Sequence, residues 1–296
     1  MIACDLGSNT LRVVEIDCES GERIAEFEKI VKTAEGMERD GNIAPAAVER
    51  VVAAVEACKA RFDFGSGYVA VTTAALRYAK NGREVADEIF ARTGIRFEII
   101  DGEREAEFTR IGVENRLHRL GIAPRSYLLL DLGGGSSEIV VRTEDAIRSE
   151  SFPVGIVTLV EKYGLEEIER GIAESCRPVA AFAQKLEKRP EIFVGASGTP
   201  TTIAAFLQGI DYAHYDYRRI NGYRLTLEQM DAALARLLSL ERSERERWVG
   251  VGRDDLIIAG VKLLREMVRC FGFEEMTVID DGLREGVGIY YCHEGA

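Results

Sequence analysis

The chain has 296 residues, 46% apolar and 30% charged, enough material for two medium domains with real cores and ordinary for a globular protein. Its net charge of −12 argues against broad nucleic-acid binding, and no apolar run approaches membrane-spanning length. The six cysteines, at 4, 18, 58, 176, 270 and 292, form no CxxC pair and no Cys/His cluster, so reduced thiols in a cytoplasmic protein are expected, with neither a zinc site nor a disulfide frame.

The chain starts on a predicted strand, which leaves no room for a signal peptide. Val13–Ile16 and Ile24–Val31 read as strands after a first glycine turn. Pro45 opens a helix that spaces Val48, Val51, Val52, Val55 and Cys58 along one buried face. "YVAVTTAA", Tyr68–Ala75, reads as a strand, residues 83–93 as a helix, "IRFEII" as a strand, and Glu103–Arg119 as a helix. Residues 120–126, "LGIAPRS", read as a linker, dividing the chain into domains of residues 1–120 and 121–296. Strands follow at Tyr127–Asp131, Glu138–Arg142 and Ala146–Phe152, then helices near 154–163 and 166–188 and a strand at Ile192–Ala196. The remainder is mainly helical, with "ERSERER" as a solvated helix face, a strand near Met276–Asp280 and a closing helix after Gly282. The fold class is α/β with mixed sheets flanked by helices.

Two segments share one outline. "DLGSNT" begins at Asp5 and "DLGGGSSE" at Asp131, each between apolar runs, as a duplicated domain would place them. Three successive glycines carry a backbone-entropy cost of roughly 0.5–1 kcal/mol each relative to alanine. Close approach of peptide N–H groups to an anion offsets that cost, and phosphate is the natural guest. Asp5, Asp131 and Glu138 repel phosphate; each is either a ligand for a Mg²⁺ that bridges to it or an acceptor for the turn's own amides. "GASGTPTTIAA", from Gly195, follows a strand and opens a helix whose first amides suit an anion or simply a capped, closely packed start. Ser197 lacks the spacing of a hydrolase nucleophile. "DGEREAEF", from Asp101, reads as a helix start with Asp101 as N-cap. Arg77 is either a surface residue or a phosphate-binding arginine at a strand end.

These segments, with "VTTAALRYAKN" and "VIDDGLREGV", occur in the order seen in the exopolyphosphatase/guanosine pentaphosphatase family, which the chain resembles over about residues 1–290. That family belongs to the superfamily of actin, sugar and acetate kinases and heat-shock ATPases. The resemblance implies two ribonuclease-H-like (actin-like ATPase) domains with the active site in the cleft between them. It implies Mg²⁺-dependent attack of water on the terminal phosphoryl group of inorganic polyphosphate or of guanosine pentaphosphate (pppGpp), and a homodimer, the assembly its members often form. Glu105 takes the position of the catalytic base, followed by Ala106; Arg104 replaces the acid that normally precedes it, and Asp101 replaces a serine. Asp131 carries over as a metal- or water-positioning residue. Ser8, Asn9, Thr10, Arg77, Gly133, Gly134, Gly135, Ser136, Gly198 and Thr199 carry over as phosphate contacts. A kinase of the same superfamily would need an adenine pocket and an acceptor site, for which no separate motif stands out. A polyphosphate or alarmone sensor that binds without turnover is the non-enzymatic alternative.

Overall fold

The computed structural model describes residues 1–294. It comprises two compact units, Met1–Asn115 with the segment from Asp281 on, and Arg116–Asp280. The expected division at residue 120 is thereby corrected. The chain end belongs to unit 1 because Leu283, Val287 and Ile289 bury against Ala3, Val14, Val71 and Phe108.

Unit 1 begins with an antiparallel meander, β1 (Ile2–Leu6), β2 (Thr10–Ile16) and β3 (Arg23–Ile30). There follow α1 (Met37–Asp40), α2 (Pro45–Lys59), β4 (Tyr68–Thr72), α3 (Ala74–Tyr78), α4 (Gly82–Thr93), β5 (Glu98–Ile99) and α5 (Gly102–Arg119). The sheet order is β3-β2-β1-β4-β5, with β4 parallel to both its neighbours. Helix α2 buries the valine face its spacing predicts, and Pro45 occupies the first turn, where a missing N–H costs nothing. The strand read from "YVAVTTAA" is shorter than expected. It ends at Thr72, whose hydroxyl donates to Leu6 O at 2.8 Å, and the chain then coils into α3. "IRFEII" likewise contributes only Glu98 and Ile99 to the sheet.

Unit 2 holds β6 (Tyr127–Leu132), β7 (Ser137–Arg142), β8 (Ile147–Phe152), α6 (Ile156–Tyr163), α7 (Ile168–Ser175), α8 (Arg177–Gln184), β9 (Ile192–Ala196) and α9 (Gly198–Leu207). It continues with α10 (Tyr217–Ile220), β10 (Tyr223–Thr226), α11 (Leu227–Ser239), α12 (Arg242–Val249), α13 (Asp254–Cys270) and β11 (Glu275–Val278). Its sheet runs β10-β11-β9-β6-β7-β8. The single helix expected over 166–188 is two, parted at Cys176, with Pro178 opening the second because it has no N–H to continue the first. Strand β10 lies where only helix was expected. Thr226 ends it and caps α11 through a reciprocal box with Gln229.

The last helix, α14 (Leu283–Glu294), packs in unit 1. Cys292 on it is disulfide-bonded to Cys18 in the turn after β2, with the Cα atoms 5.1 Å apart. The expectation of six reduced thiols is therefore corrected at this pair. A separation of 274 residues leaves no spacing signature, and only the return of the chain end brings the two together. Cys4, Cys58, Cys176 and Cys270 are free thiols. No helix among the described residues is long and apolar enough to cross a membrane.

Candidate active site

The two glycine turns are built alike. Gly7 N donates to Thr10 O at 3.0 Å, and Gly133 N donates to Ser136 O at 2.9 Å, closing four-residue loops after the pairs Leu6–Leu11 and Leu132–Ser137. Asp5 and Asp131 stand one residue before the end of their strands, both half-buried, each beside a parallel neighbour, Val71 on β4 and Ala196 on β9. Only glycine fits at 133, since a Cβ there would lie 2.7 Å from Ser136 O.

Peptide geometry fixes what these turns present. A trans peptide points its C=O and the following N–H in opposite directions. The carbonyls of Gly133 and Gly134 accept from Ile156 N (3.1 Å) and Val157 N (2.8 Å) in the first turn of α6. The N–H groups of Gly134 and Gly135 therefore point away from α6, side by side. In unit 1, Ser8 O accepts from Ala34 N and Asn9 O from Val31 N and Lys32 N, each at 2.9 Å. The amides of Asn9 and Thr10 point away from the segment after β3 in the same way. Ser8 and Thr10 are themselves buried. Pairs of parallel amides of this kind bind anionic oxygens.

Glu138 is 1% exposed, and its Oε1 accepts from Ser136 Oγ at 2.8 Å and Ser151 Oγ at 2.7 Å. It thus supports the hydroxyls of Ser136 and Ser151. Among the described residues, no three Asp, Glu, His or Cys side chains gather in a group that could hold a metal ion. At the start of α9, Ser197 has φ +105°, a left-handed backbone that a non-glycine residue rarely adopts. Its hydroxyl is buried without a hydrogen bond, while Thr201 Oγ1 donates to Ser197 O at 2.9 Å. No side chain caps this helix, which leaves the amides of Gly198 and Thr199 at its positive end.

In unit 1, Asp101 caps α5 as expected, its Oδ1 accepting from Arg104 N at 2.8 Å. Glu105 follows in the first turn, 7% exposed, and Arg77 Nη1 donates to its Oε2 at 2.8 Å and to Ile100 O at 2.9 Å. Burial works against the Arg77 charge, but Glu105 more than offsets it and holds the guanidinium pKa above its ordinary value. At least one edge of Arg77 is thus spent on the carboxylate.

Residues 13–293 match the Ppx/GppA phosphatase family. The chain belongs to that family. It is 28% identical over 319 aligned positions to exopolyphosphatase 2 of Mycobacterium tuberculosis, covering 97% of each chain. The crystal structure of the Aquifex aeolicus family member superposes with a TM-score of 0.75 at 25% identity, over 99% of this chain and 97% of that one. An exopolyphosphatase structure from Cytophaga hutchinsonii, 23% identical, shares the fold with a TM-score of 0.84 over 99% and 97% of the two chains. The α/β class and the actin-like architecture expected from sequence are borne out.

Within this Ppx/GppA chain, sequence reasoning missed Ser151, the second hydroxyl on Glu138, and the α6 amides that hold the glycine loop. Neither carries a motif. Gly155 gives the one local sign, because a Cβ there would lie 2.3 Å from Gly134 O, so α6 can approach the loop only with glycine at its start.

Proposed function

We infer that this protein is an exopolyphosphatase, hydrolysing the terminal phosphoanhydride of inorganic polyphosphate and releasing orthophosphate. The observation that carries the reading is the twinned turn, an outward pair of amides beside a half-buried aspartate, repeated in both units of a Ppx/GppA chain. The amides of Gly134 and Gly135 would hold non-bridging oxygens of the phosphoryl group, with Gly198 and Thr199 at the positive end of α9 adding donors. Glu105 would take a proton from the attacking water as its oxygen bonds to phosphorus; the bridging oxygen leaves with the shortened chain. Arg77 fixes that carboxylate and offsets its charge where a polyanion must come close. Ser136, its hydroxyl proton directed at Glu138, would contribute its backbone amide.

The donor chemistry fits a hard divalent cation. Asp5 and Asp131 are oxygen donors flanking the outward amides, and Mg²⁺ characteristically takes one or two carboxylates with water and substrate oxygens. Each carboxylate, beside the amides of its own turn, would serve as a ligand for Mg²⁺, which when bound neutralises charge on the phosphoryl oxygens. A cytoplasmic setting, part of the same proposal, has to accommodate the Cys18–Cys292 disulfide, as intracellular proteins of hyperthermophiles do. The curated relative's activity does not favour pppGpp as the main substrate.

The test is phosphate release from polyphosphate, pppGpp and ATP side by side, with and without Mg²⁺, for the natural chain and Glu105→Gln. Polyphosphate should be turned over fastest, and the variant should lose about 10²- to 10⁴-fold in kcat. Faster turnover of pppGpp would overturn the substrate, and near-normal turnover by the variant would overturn the base.

A further inference from the structure

Arg104 stands where an acid would precede the base in the family pattern, and its surroundings show what it does there. Its guanidinium carbon lies 4.2 Å from the ring centroid of Phe108, one turn on in α5, and 4.4 Å from that of Tyr290 on α14. Its Nη1 donates to Glu107 Oε2 at 2.7 Å. The rings form a cluster of their own: Phe108 is 5.3 Å from Tyr290 edge-on, and Tyr290 is 5.2 Å from Tyr291. A cation seated on two ring faces is held by their quadrupoles more firmly than by one.

The platform beneath is closely packed and covalently tied. Helices α5 and α14 touch through their backbones. A Cβ on Gly286 would lie 1.7 Å from Phe108 O, and one on Gly112 would lie 2.3 Å from Gly282 O. Tyr291 directly precedes Cys292, whose disulfide to Cys18 ties α14 to the turn after β2. The first turn of α5, by contrast, has the weakness of every helix start, because its leading N–H groups lack intrahelical partners. Glu105 sits in that turn. Asp101 holds it through the Arg104 amide and Arg77 holds the carboxylate itself.

We propose that Arg104 is a positioning residue for phosphoanhydride hydrolysis: seated on Phe108 and Tyr290, it locks the first turn of α5, and with it the Glu105 carboxylate, to the disulfide-anchored C-terminal helix. The proposal rests on reading Glu105 as the base. It accounts for the departure from the acidic pair, since a carboxylate at 104 would place its negative charge against the negative ring faces.

The experiment compares Arg104→Gln, Arg104→Lys, Tyr290→Leu, Glu105→Gln and the double variant Arg104→Gln/Glu105→Gln in phosphate release from polyphosphate, with thermal melts of each. Displacing a catalytic group by about 1 Å costs up to roughly 10²-fold. Arg104→Gln should lower kcat about 10-fold with KM within about twofold, and Arg104→Lys should recover most of it because an ammonium also rests on the rings. The double variant should be no slower than Glu105→Gln, since Arg104 acts only through that carboxylate. A folded Arg104→Gln with unchanged kcat overturns the proposal, as does a lysine variant no faster than the glutamine one or a double variant slower still. If Arg104→Gln does not fold, Tyr290→Leu decides: loss in kcat alone supports the proposal and an unchanged kcat overturns it. Normal turnover by Glu105→Gln defeats the base and this inference together. An inactive Glu105→Gln beside an unaffected Arg104→Gln defeats the inference alone.

Discussion

Gly286→Ala tests the packing on which unit 1 depends. The new Cβ would lie 1.7 Å from Phe108 O, against about 3.4 Å for ordinary contact, so α14 and α5 would have to part by about 1.7 Å or bend. The obstacle is a backbone carbonyl and cannot rotate away. Overpacking of this kind costs about 1–3 kcal/mol, and the upper end is expected here because two backbones must yield. For a unit of this size, about 3 kcal/mol corresponds to a fall in Tm of roughly 10 °C. Gly282→Ala is the matched control: a Cβ there meets nothing within 4 Å, and Gly282 lies one turn earlier in the same segment. Circular dichroism melts of both variants, with phosphate release from polyphosphate, give the readout. Gly286→Ala should melt well below Gly282→Ala and lose kcat through the displaced α5. Equal Tm values for the two would refute the close approach of the helices.

Glu138→Gln should destabilise unit 2 by about 1–3 kcal/mol and raise KM for polyphosphate, because two serine hydroxyls lose a charged acceptor; an unchanged denaturant midpoint would show that the carboxylate is not their support. Thiol titration of the unfolded chain should find four groups before reduction and six after, and reduction should lower stability by about 2–4 kcal/mol, since the bridge closes nearly the whole chain into a loop; six thiols without reduction would exclude the disulfide. Burial pushes the thiols of Cys58 and Cys176 up to about 12. Below the ordinary thiol pKa both states keep the proton; above it the unfolded chain ionises while the folded one stays neutral. Stability should therefore decline between about pH 9 and pH 12, and a Cys58→Ala/Cys176→Ala variant should show a shallower decline in urea titrations. Parallel slopes for the two proteins would rule the thiols out as its cause.

What the sequence revealed and what it hid divide along the reach of the interactions. The turns at Asp5 and Asp131 were legible because the aspartate, the glycines and the flanking apolar runs are contiguous. The valine face of α2 and the Asp101 cap were legible for the same reason. Helix α3 was hidden because "VTTAA" suits a strand as well as a helix, and Leu6 O decides by taking the Thr72 hydroxyl. Strand β10 was missed although the Thr226–Gln229 box that follows it is a local signature. Arg77 could be noticed but not assigned, since its carboxylate partner lies 28 residues away. The Cys18–Cys292 bridge and the return of α14 to unit 1 depend on where the chain ends up after crossing unit 2, which no window of sequence contains.

The charge balance looks wrong for a protein that handles a polyanion: 50 acids against 38 bases. Screening confines the effect of most of those acids, since exposed charges fade beyond about 8 Å at physiological ionic strength. What an incoming phosphate meets is decided within a few ångströms, and of the acids proposed to lie there two are already engaged, while Asp5 and Asp131 are proposed to act through Mg²⁺. Glu105 faces Arg77, and Glu138 takes two serine hydroxyls inside the β7–β8 pair. Peptide amides remain as donors, pointing away from the groups to which their carbonyl neighbours are tied, α6 in one unit and the segment after β3 in the other. Amides attract anionic oxygens without the desolvation cost of a buried cation, and they hold their direction without a side chain to order. On the proposed reading an acidic surface and a phosphate site coexist, because affinity is written in backbone direction and not in net charge.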